Sequence, residues 1–262
     1  MNVSALLQYF DWQAAGLFGL VLARVSGALM GLPFFTSAST PGPVKAALLI
    51  LCTAAIYPVA KPSLGAPPTE LAMFAMLAVR ELAVGLMLGF AVRIVLGGVQ
   101  LGGQLIAAQL GLTYGSIVHP DFEHQEPALV HILYALGVLV FLGVDGHHTF
   151  VRALGDSFHA TSTQSAASLT GAARDLVLFG GIAFGLGLKI AAPVMAAVLV
   201  SNVGVGIVAR AAPQLGIFQV AVGITVLVGL LVLSASMPSI LNTIVGALRD
   251  VAGRGAAIFG GP

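Results

Sequence analysis

Long apolar runs separated by short polar stretches dominate this chain. Six such runs stand out, and they cover residues 14–32, 44–60, 71–99, 128–144, 176–203 and 215–237. Each run is long enough to form a helix across most of a hydrocarbon core about 30 Å thick. Proline and glycine mark the joints, among them Pro58, Pro62, Pro213 and Pro238. The pattern predicts an all-α integral membrane protein, folded as one compact helical domain.

The third and fifth runs are too long for a simple spanning bundle. Residues 71–99 would form a helix about 43 Å long, which exceeds the hydrocarbon core. This run contains Arg80, Glu81 and Arg93, while the fifth contains Lys189, with Pro193 one turn later, where a kink or break is expected. Ionisable groups at such depth face protein or water and often mark a functional position. An ion pair between Glu81 and a basic residue on a neighbouring helix is an equally good explanation.

Composition strengthens the membrane prediction. The chain is 58% hydrophobic and 8% charged, and its mean hydropathy is +1.02, whereas soluble domains carry about 25% charged residues. A net charge of +1 without a basic stripe argues against nucleic acid as a partner. The single cysteine, Cys52, excludes an internal disulfide and is expected to be a small buried hydrophobe. The N-terminus lacks the basic region of a cleavable signal peptide, so the first run is expected to be retained.

The stretch 102–127 interrupts the apolar pattern near the middle of the chain. Its first half is rich in glycine and has weak helix preference. Its second half is polar and contains His119, Pro120, Asp121, Glu123, His124, Gln125 and Glu126. Irregular backbone at membrane depth persists only where it is buried in protein or lines a water-filled cavity. An ordinary solvent loop is the alternative.

Candidate chemistry is sparse. Asp145-Gly146-His147-His148 is better explained as a polar helix boundary than as a metal site, because adjacent histidines on a helix point apart. His131 is expected to be a satisfied interior histidine. The chain has no nucleophile elbow, phosphate-binding loop or dinucleotide fingerprint. The residues therefore favour neither an enzyme nor a cofactor-binding protein.

Two further patterns concern helix packing. Arg210, Pro213 and Gln214 lie between two apolar runs and predict a tight helix-to-helix corner, where the guanidinium caps carbonyls or pairs with a carboxylate. Glu81 is the first carboxylate to test as that partner. Small residues recur at four-residue spacing and favour close helix approach; the pairs are Gly85 and Gly89, Gly98 and Gly102, and Gly181 and Gly185.

Taken together, these residues resemble the FliR family of flagellar export-gate proteins, which is also represented in virulence type III secretion systems. The similarity covers most of the chain, with the motifs in the family's order. The matching positions are Arg80, Glu81, Gly85, Gly89 and Phe90; Gln109, Leu110 and Gly111; Gly146 and His147; Asp156 to His159; and Arg210, Pro213, Gln214, Leu215 and Phe218. Gly216 departs from the pattern, because the family often has asparagine there, and this puts a hydrogen bond from that side chain in doubt.

The resemblance implies a subunit without enzymatic activity or cofactor. One copy would join FliP and FliQ subunits in a right-handed helical assembly in the bacterial inner membrane, at the flagellar basal body, with FlhB and FlhA as further partners. Unfolded export substrates would pass through this assembly. Residues 1–175 would form a FliP-like part and residues 176–262 a FliQ-like part.

The resemblance also implies roles for particular residues. Residues 110–122 would plug the closed pore, and they are Leu110, Gly111, Leu112, Thr113, Tyr114, Gly115, Ser116, Ile117, Val118, His119, Pro120, Asp121 and Phe122. A second set is expected to supply buried charges and structural contacts, and it comprises Glu81, Arg80, Arg93, Lys189, Arg210, Pro213 and Gln214.

Two other functions stay open from the sequence. In a small-solute secondary transporter, Glu81, Arg93, Lys189 and His131 would form a proton or substrate pathway. Such folds often show repeated halves, and no convincing internal symmetry is visible here. A membrane-embedded metalloenzyme using His147 and His148 ranks last. The choice between a flagellum and a virulence system leans towards the flagellum.

Overall fold

The computed structural model describes residues 12–36, 40–65, 67–68, 70–113, 126–163, 169–211 and 217–258. These residues form eight helices and no strand. The helices are α1 (Trp12–Leu29), α2 (Pro33–Thr36), α3 (Gly42–Leu64), α4 (Leu71–Gln109), α5 (Ala128–Gly143), α6 (Gly146–Thr163), α7 (Leu169–Ala211) and α8 (Ile217–Ile258). The prediction of an all-α protein is confirmed.

Four helical stretches among the described residues are long and apolar enough to cross a membrane. They are Gly42–Leu64, Leu71–Gln109, Leu178–Ala211 and Ala221–Val251. The helices Ala128–Gly143 and Gly146–His159 together give a fifth span if they are counted as one. Gln13–Leu29 is apolar but shorter. The chain is therefore a multi-pass membrane protein, and each of the six predicted apolar runs contains a helix.

Four helices, α3, α4, α7 and α8, are longer than the sequence predicts. α7 has 43 residues and passes through Pro193, and α8 has 42 residues and passes through Pro238. α3 likewise contains Pro58 and Pro62. The predicted joints at Pro58, Pro62 and Pro238 are therefore wrong, and at Pro193, where a kink or a break was expected, the helix does not break. A proline removes only one ladder hydrogen bond, and long apolar helices tolerate this because neighbouring groups can satisfy the freed carbonyl.

The glycine-rich stretch is also more regular than expected. α4 continues through Gly102 and Gly103 and ends at Gln109, so residues 102–109 of the interrupted region are helical. The helix-weakening effect of glycine is on the order of 1 kcal/mol per residue. The packed neighbours of Gly102, described below, offset this cost.

The boundary between α5 and α6 lies at the predicted polar stretch. Asp145 has a φ of 56°, a backbone angle that ends regular helix for a residue with a side chain. The predicted helix boundary is confirmed. The rings of His147 and His148 lie with centroids 4.2 Å apart, so these neighbours do not point apart as expected.

The chain divides into two compact units. The first comprises residues 1–93, 147–172 and 251–262, and its core includes Val21, Val25, Ala60 and Phe158. The second comprises residues 94–146 and 173–250, and its core includes Val99, Ile106, Leu133, Ile190 and Ile244. The division into FliP-like and FliQ-like parts near residue 175 stays a prediction.

Candidate functional site

A buried ion pair joins α1 to α4 within the first unit. The Arg24 guanidinium donates from Nε to Oε2 of Glu81 at 2.6 Å, and its second terminal nitrogen lies 2.5 Å from the same oxygen. Arg24 is 1% exposed and Glu81 is 4% exposed. A buried charge is tolerated when it is paired and its remaining donors are satisfied. The pair therefore depends on both partners being present.

α6 supplies further contacts of the Arg24 guanidinium. Its first terminal nitrogen donates to Oγ of Ser157 at 3.0 Å, and Ser157 in turn donates to the Leu154 carbonyl at 2.7 Å. The guanidinium carbon lies 4.0 Å from the ring centroid of Phe158, which is a cation–π geometry. Three helices thus meet around one cation. We call Arg24, Glu81, Ser157 and Phe158 the arginine cluster.

Glycines allow α1 and α4 to approach closely beside the arginine cluster. A Cβ atom at Gly85 would overlap the Arg24 carbonyl, and one at Gly89 would overlap the Ala28 carbonyl. On α1, a Cβ at Gly27 would lie 2.5 Å from the Leu82 carbonyl, and in the turn just after α1 a Cβ at Gly31 would overlap the backbone of Gly89. Helix backbones can meet this closely only where both surfaces are made of small residues. The predicted close packing at Gly85 and Gly89 is confirmed.

The two other glycine pairs give different outcomes. Within the second unit, Gly98 faces Ala183 of α7, and Gly102 faces Gly187 and Ile190 of the same helix. Close packing is therefore confirmed for this pair. Nothing in the described part of the chain lies within 4 Å of a Cβ built at Gly181 or Gly185. Those two glycines do not mediate helix packing among the described residues.

The start of the predicted plug is a regular helix end. Gly111 has a φ of 72°, and its N–H donates to the Ala108 carbonyl at 3.1 Å. The Leu112 N–H reaches back to the Ala107 carbonyl at 3.0 Å. These are the two hydrogen bonds of a Schellman motif, which requires a left-handed residue such as glycine at this position. α4 therefore ends at a fixed point, and Leu110 is buried against Gly229 of α8.

The described part of the predicted plug consists of Leu110, Gly111, Leu112 and Thr113. Tyr114, Gly115, Ser116, Ile117, Val118, His119, Pro120, Asp121 and Phe122 lie outside the described residues, as do Pro213 and Gln214. Beyond the undescribed stretch, Glu126 accepts hydrogen bonds from the side-chain amides of Gln100 and Gln104 on α4, each at 3.2 Å. These contacts connect the chain just before α5 back to α4.

The expected set of buried charges needs correction. Glu81 is buried, but Arg80, Arg93, Lys189 and Arg210 are all exposed on the chain. Their predicted role as buried charges or structural contacts therefore stays a prediction, because the chain alone does not bury them. A charge in an apolar helix need not face its own chain, because helix periodicity turns adjacent side chains in different directions. Glu81 pairs with Arg24, which confirms the expected ion pair with a basic residue of a neighbouring helix and leaves Arg210, the first partner to test, outside that pair.

Two smaller expectations also fail. His131 is exposed on α5 and is not an interior histidine. Cys52 is only partly buried. These positions weaken the transporter hypothesis. Glu81 is paired with Arg24. The other proposed pathway residues, Arg93, Lys189 and His131, lie at the surface of the chain.

Sequence reasoning missed Arg24, Ser157 and Phe158 as one site. Ser157 and Phe158 entered only as part of a motif, and Arg24 was not among the candidate site residues. A usable signal existed, because Glu81 is the one acidic residue inside the run 71–99 and Arg24 is the one basic residue inside the run 14–32. Buried opposite charges in separate apolar helices are expected to pair.

These features define a multi-pass helical membrane protein with a saturated buried ion pair and a glycine-packed helix crossing. The chain belongs to the bacterial export proteins, family 1, whose sequence profile matches residues 15–251. This chain is 31% identical over 237 residues to the flagellar biosynthetic protein FliR of Escherichia coli, covering 89% of this chain and 88% of that relative.

Other relatives show similar coverage. The flagellar biosynthetic protein FliR of Caulobacter vibrioides is 28% identical over 221 residues, with 84% of this chain and 88% of the relative covered. The surface presentation of antigens protein SpaR of Salmonella typhimurium is 29% identical over 223 residues, with coverage of 84% and 83%. The resemblance inferred from the motifs is therefore confirmed.

Proposed function

We propose that this protein is a subunit of a flagellar type III export gate. It joins FliP and FliQ subunits to form the channel through which unfolded flagellar proteins cross the inner membrane. The observation that carries the proposal is the family match over residues 15–251. Relatives named for flagellar biosynthesis and for surface presentation of antigens are similar along most of this chain, which fits an export role shared by two systems.

The surface of the chain by itself is typical of a protein that other subunits cover. Large apolar side chains are exposed on α3, α4, α7 and α8, and charged side chains lie among them. Lipid can cover the apolar residues, but it covers a charged side chain poorly. Partner subunits can cover the apolar residues and can also supply polar groups to the charged side chains. FlhB and FlhA are further partners in this proposal.

The plug is proposed for residues 110–122. Its support is the fixed helix end at Gly111 and the packing of Leu110 against α8. A segment that starts from a fixed point returns to the same place after a substrate has passed. The mostly uncharged side chains between Leu110 and Val118 suit a barrier to ions.

Native mass spectrometry of the protein, purified from its own membranes in mild detergent, tests the subunit role. We expect a single copy of this chain held with two other small hydrophobic proteins. A monomer or homodimer without partners contradicts the gate and favours a transporter. Unimpaired flagellar export in cells lacking the chain would also exclude the proposal.

The plug is tested separately by two kinds of variant. Bulky replacements across residues 111–115 are expected to block export, and partial deletion of this segment is expected to let ions leak through the membrane. Gly155→Trp on α6 is the matched bulky control, since nothing described lies within 4 Å of a Cβ at that glycine. Normal export and normal ion retention in both plug variants would exclude the plug.

A further inference from the structure

A polar contact holds the chain just before α5 against the second half of α4. The side-chain amide of Gln100 donates to both carboxylate oxygens of Glu126, at 3.2 Å each, and the amide of Gln104 donates to Oε1 at 3.2 Å. Gln100 and Gln104 lie one turn apart on one face of α4. Hydrogen bonds to an ionised acceptor are roughly twice as strong as those between neutral groups. The two glutamines therefore form one attachment point for the carboxylate.

Pro127 fixes the direction in which the chain enters α5. Its φ is −53° and its ψ is 137°, and its carbonyl accepts a hydrogen bond from the Val130 N–H at 2.9 Å. A residue that precedes proline is restricted to extended backbone. Glu126 is therefore restricted in its backbone by Pro127 and held at its side chain by α4. Together these restraints set both the place and the direction of this end of the connection.

Close packing just beyond Pro127 gives this end a rigid support. A Cβ at Gly103 of α4 would lie 3.2 Å from the Val130 Cα of α5, and one at Gly137 would lie 3.2 Å from a methyl group of Val99. Val130 is 1% exposed and Val99 is 0% exposed. These contacts show that α4 and α5 run in opposite directions as a tightly packed hairpin within the second unit.

The opposite end of the connection is fixed to the same helix. The Schellman motif at Gly111 ends α4. Gln104 lies only about 7.5 Å along the helix axis before Gln109, so both attachment points lie near one end of α4. Residues 110–127 form a much longer connection than the roughly two to eight residues that usually join two packed helices. Closing the hairpin therefore does not explain the length of this connection.

We propose that Glu126, held by Gln100 and Gln104, is the second anchor of the plug and sets how tightly the plug closes the channel at rest. The inference rests on the plug proposed for residues 110–122 and deepens it. A segment held at both ends has fewer accessible conformations than one held at a single end. Releasing Glu126 therefore lowers the population of the closed arrangement. Glu126 is a positioning residue, because it acts through the plug and not on the exported chain.

The test measures ion leak in resting native cells that contain the whole complex, read as loss of intracellular potassium. The variants are Glu126→Ala, Gln104→Glu, and the double variant Gln104→Glu with Glu126→Gln. Glu70→Ala is the matched control, because Glu70 is likewise an exposed glutamate just before a helix. Native electrophoresis in mild detergent checks that each variant enters the complex.

We expect Glu126→Ala to raise the leak roughly tenfold, since the hydrogen bonds to a charged group that it removes correspond to about that factor in occupancy. Gln104→Glu places two carboxylates against each other and should leak at least as much. The double variant exchanges donor and acceptor, because the carboxylate then lies on α4 and accepts from the amide that precedes α5. Its leak should return close to the parent value. Glu70→Ala should retain ions as the parent does.

Four results overturn the inference. If assembled Glu126→Ala retains ions while a partial deletion within residues 111–115 leaks, the plug stands without this second anchor. If the double variant leaks as much as the single variants, the contact is not the cause of the leak. If Glu126→Ala is lost from the complex, the contact serves folding or assembly. If the partial deletion retains ions as well, the proposed plug fails together with this inference.

Discussion

Arg24 and Glu81 lie 57 residues apart in the chain, and their side chains meet at 2.6 Å in the interior of the first unit. Both belong to apolar helices, and both are almost fully withdrawn from solvent. The pair fixes α1 against α4 at one register, since a slip by one residue would separate the charges. Ser157 and Phe158 bring α6 to the same point.

Removing one partner of this pair should be more harmful than removing both. Glu81→Ala leaves an uncompensated buried guanidinium and should cost about 3–5 kcal/mol. The double variant Arg24→Met with Glu81→Leu should recover most of that loss, because no charge remains buried. Thermal unfolding of the purified protein in detergent measures the loss of stability in the single and in the double variant. Equal destabilisation by the single and double variants would contradict this account.

Ser157→Ala tests the contribution of α6. The variant removes the hydroxyl that accepts from the Arg24 guanidinium, leaving one donor unsatisfied in a buried site. The expected cost is about 1–3 kcal/mol. Ser236→Ala is the matched control, because that hydroxyl only donates to its own helix, to the Leu233 carbonyl. Similar melting temperatures for the two variants would argue against a role for Ser157 in holding Arg24.

Gly85→Ala should disturb the crossing of α1 and α4, although alanine is a better helix former than glycine. The new methyl group would overlap the Arg24 carbonyl, and the backbones would have to separate. Overpacking of this kind typically costs about 1–3 kcal/mol. Gly155→Ala on α6 has open space and should be neutral or stabilising. The prediction fails if Gly85→Ala unfolds at the same temperature as Gly155→Ala.

Gly111→Val should weaken the end of α4. The backbone there has a φ of 72°, and a side chain in that left-handed region costs roughly 1–2 kcal/mol. Gly111→Asn should be milder, because asparagine tolerates this region. Protease sensitivity after residue 109 and export activity are the measurements. A variant with valine that resists protease as well as the parent would contradict the helix-end role.

Tyr57→Phe should be neutral or stabilising. The Tyr57 hydroxyl is buried and has no hydrogen-bond partner among the described residues, while its ring packs against Phe18 with centroids 5.7 Å apart. Removing the hydroxyl removes an unsatisfied polar group and keeps the ring. Tyr57→Ala should instead destabilise by about 3 kcal/mol or more. Marked destabilisation by phenylalanine would reveal a partner for the hydroxyl.

Hydropathy was sufficient to predict the helices, because each apolar run in a membrane protein must satisfy its backbone hydrogen bonds internally. It did not predict where the helices end. Pro193 and Pro238 are strong local signals for a break, but packing along an apolar helix outweighs one missing hydrogen bond. Local propensity alone therefore gave helices that were too short.

The candidate site was predictable in part. Glu81 was identified because it is an acid inside an apolar run, and the glycines beside it were identified by their spacing. The predicted ion pair between Glu81 and a basic residue on a neighbouring helix is confirmed, but its partner is Arg24 and not Arg210, because the partner depends on which helices meet in three dimensions. The exposure of Lys189 depends on the rotation of α7 about its own axis, which its charge alone does not determine.

The crossing of α1 and α4 has a consequence for sequence variation. Where backbone meets backbone, no choice of rotamer can relieve an added atom, so Gly31, Gly85 and Gly89 have no acceptable replacement by a larger residue. Laboratory evolution that stabilises the protein should therefore leave these three positions unchanged.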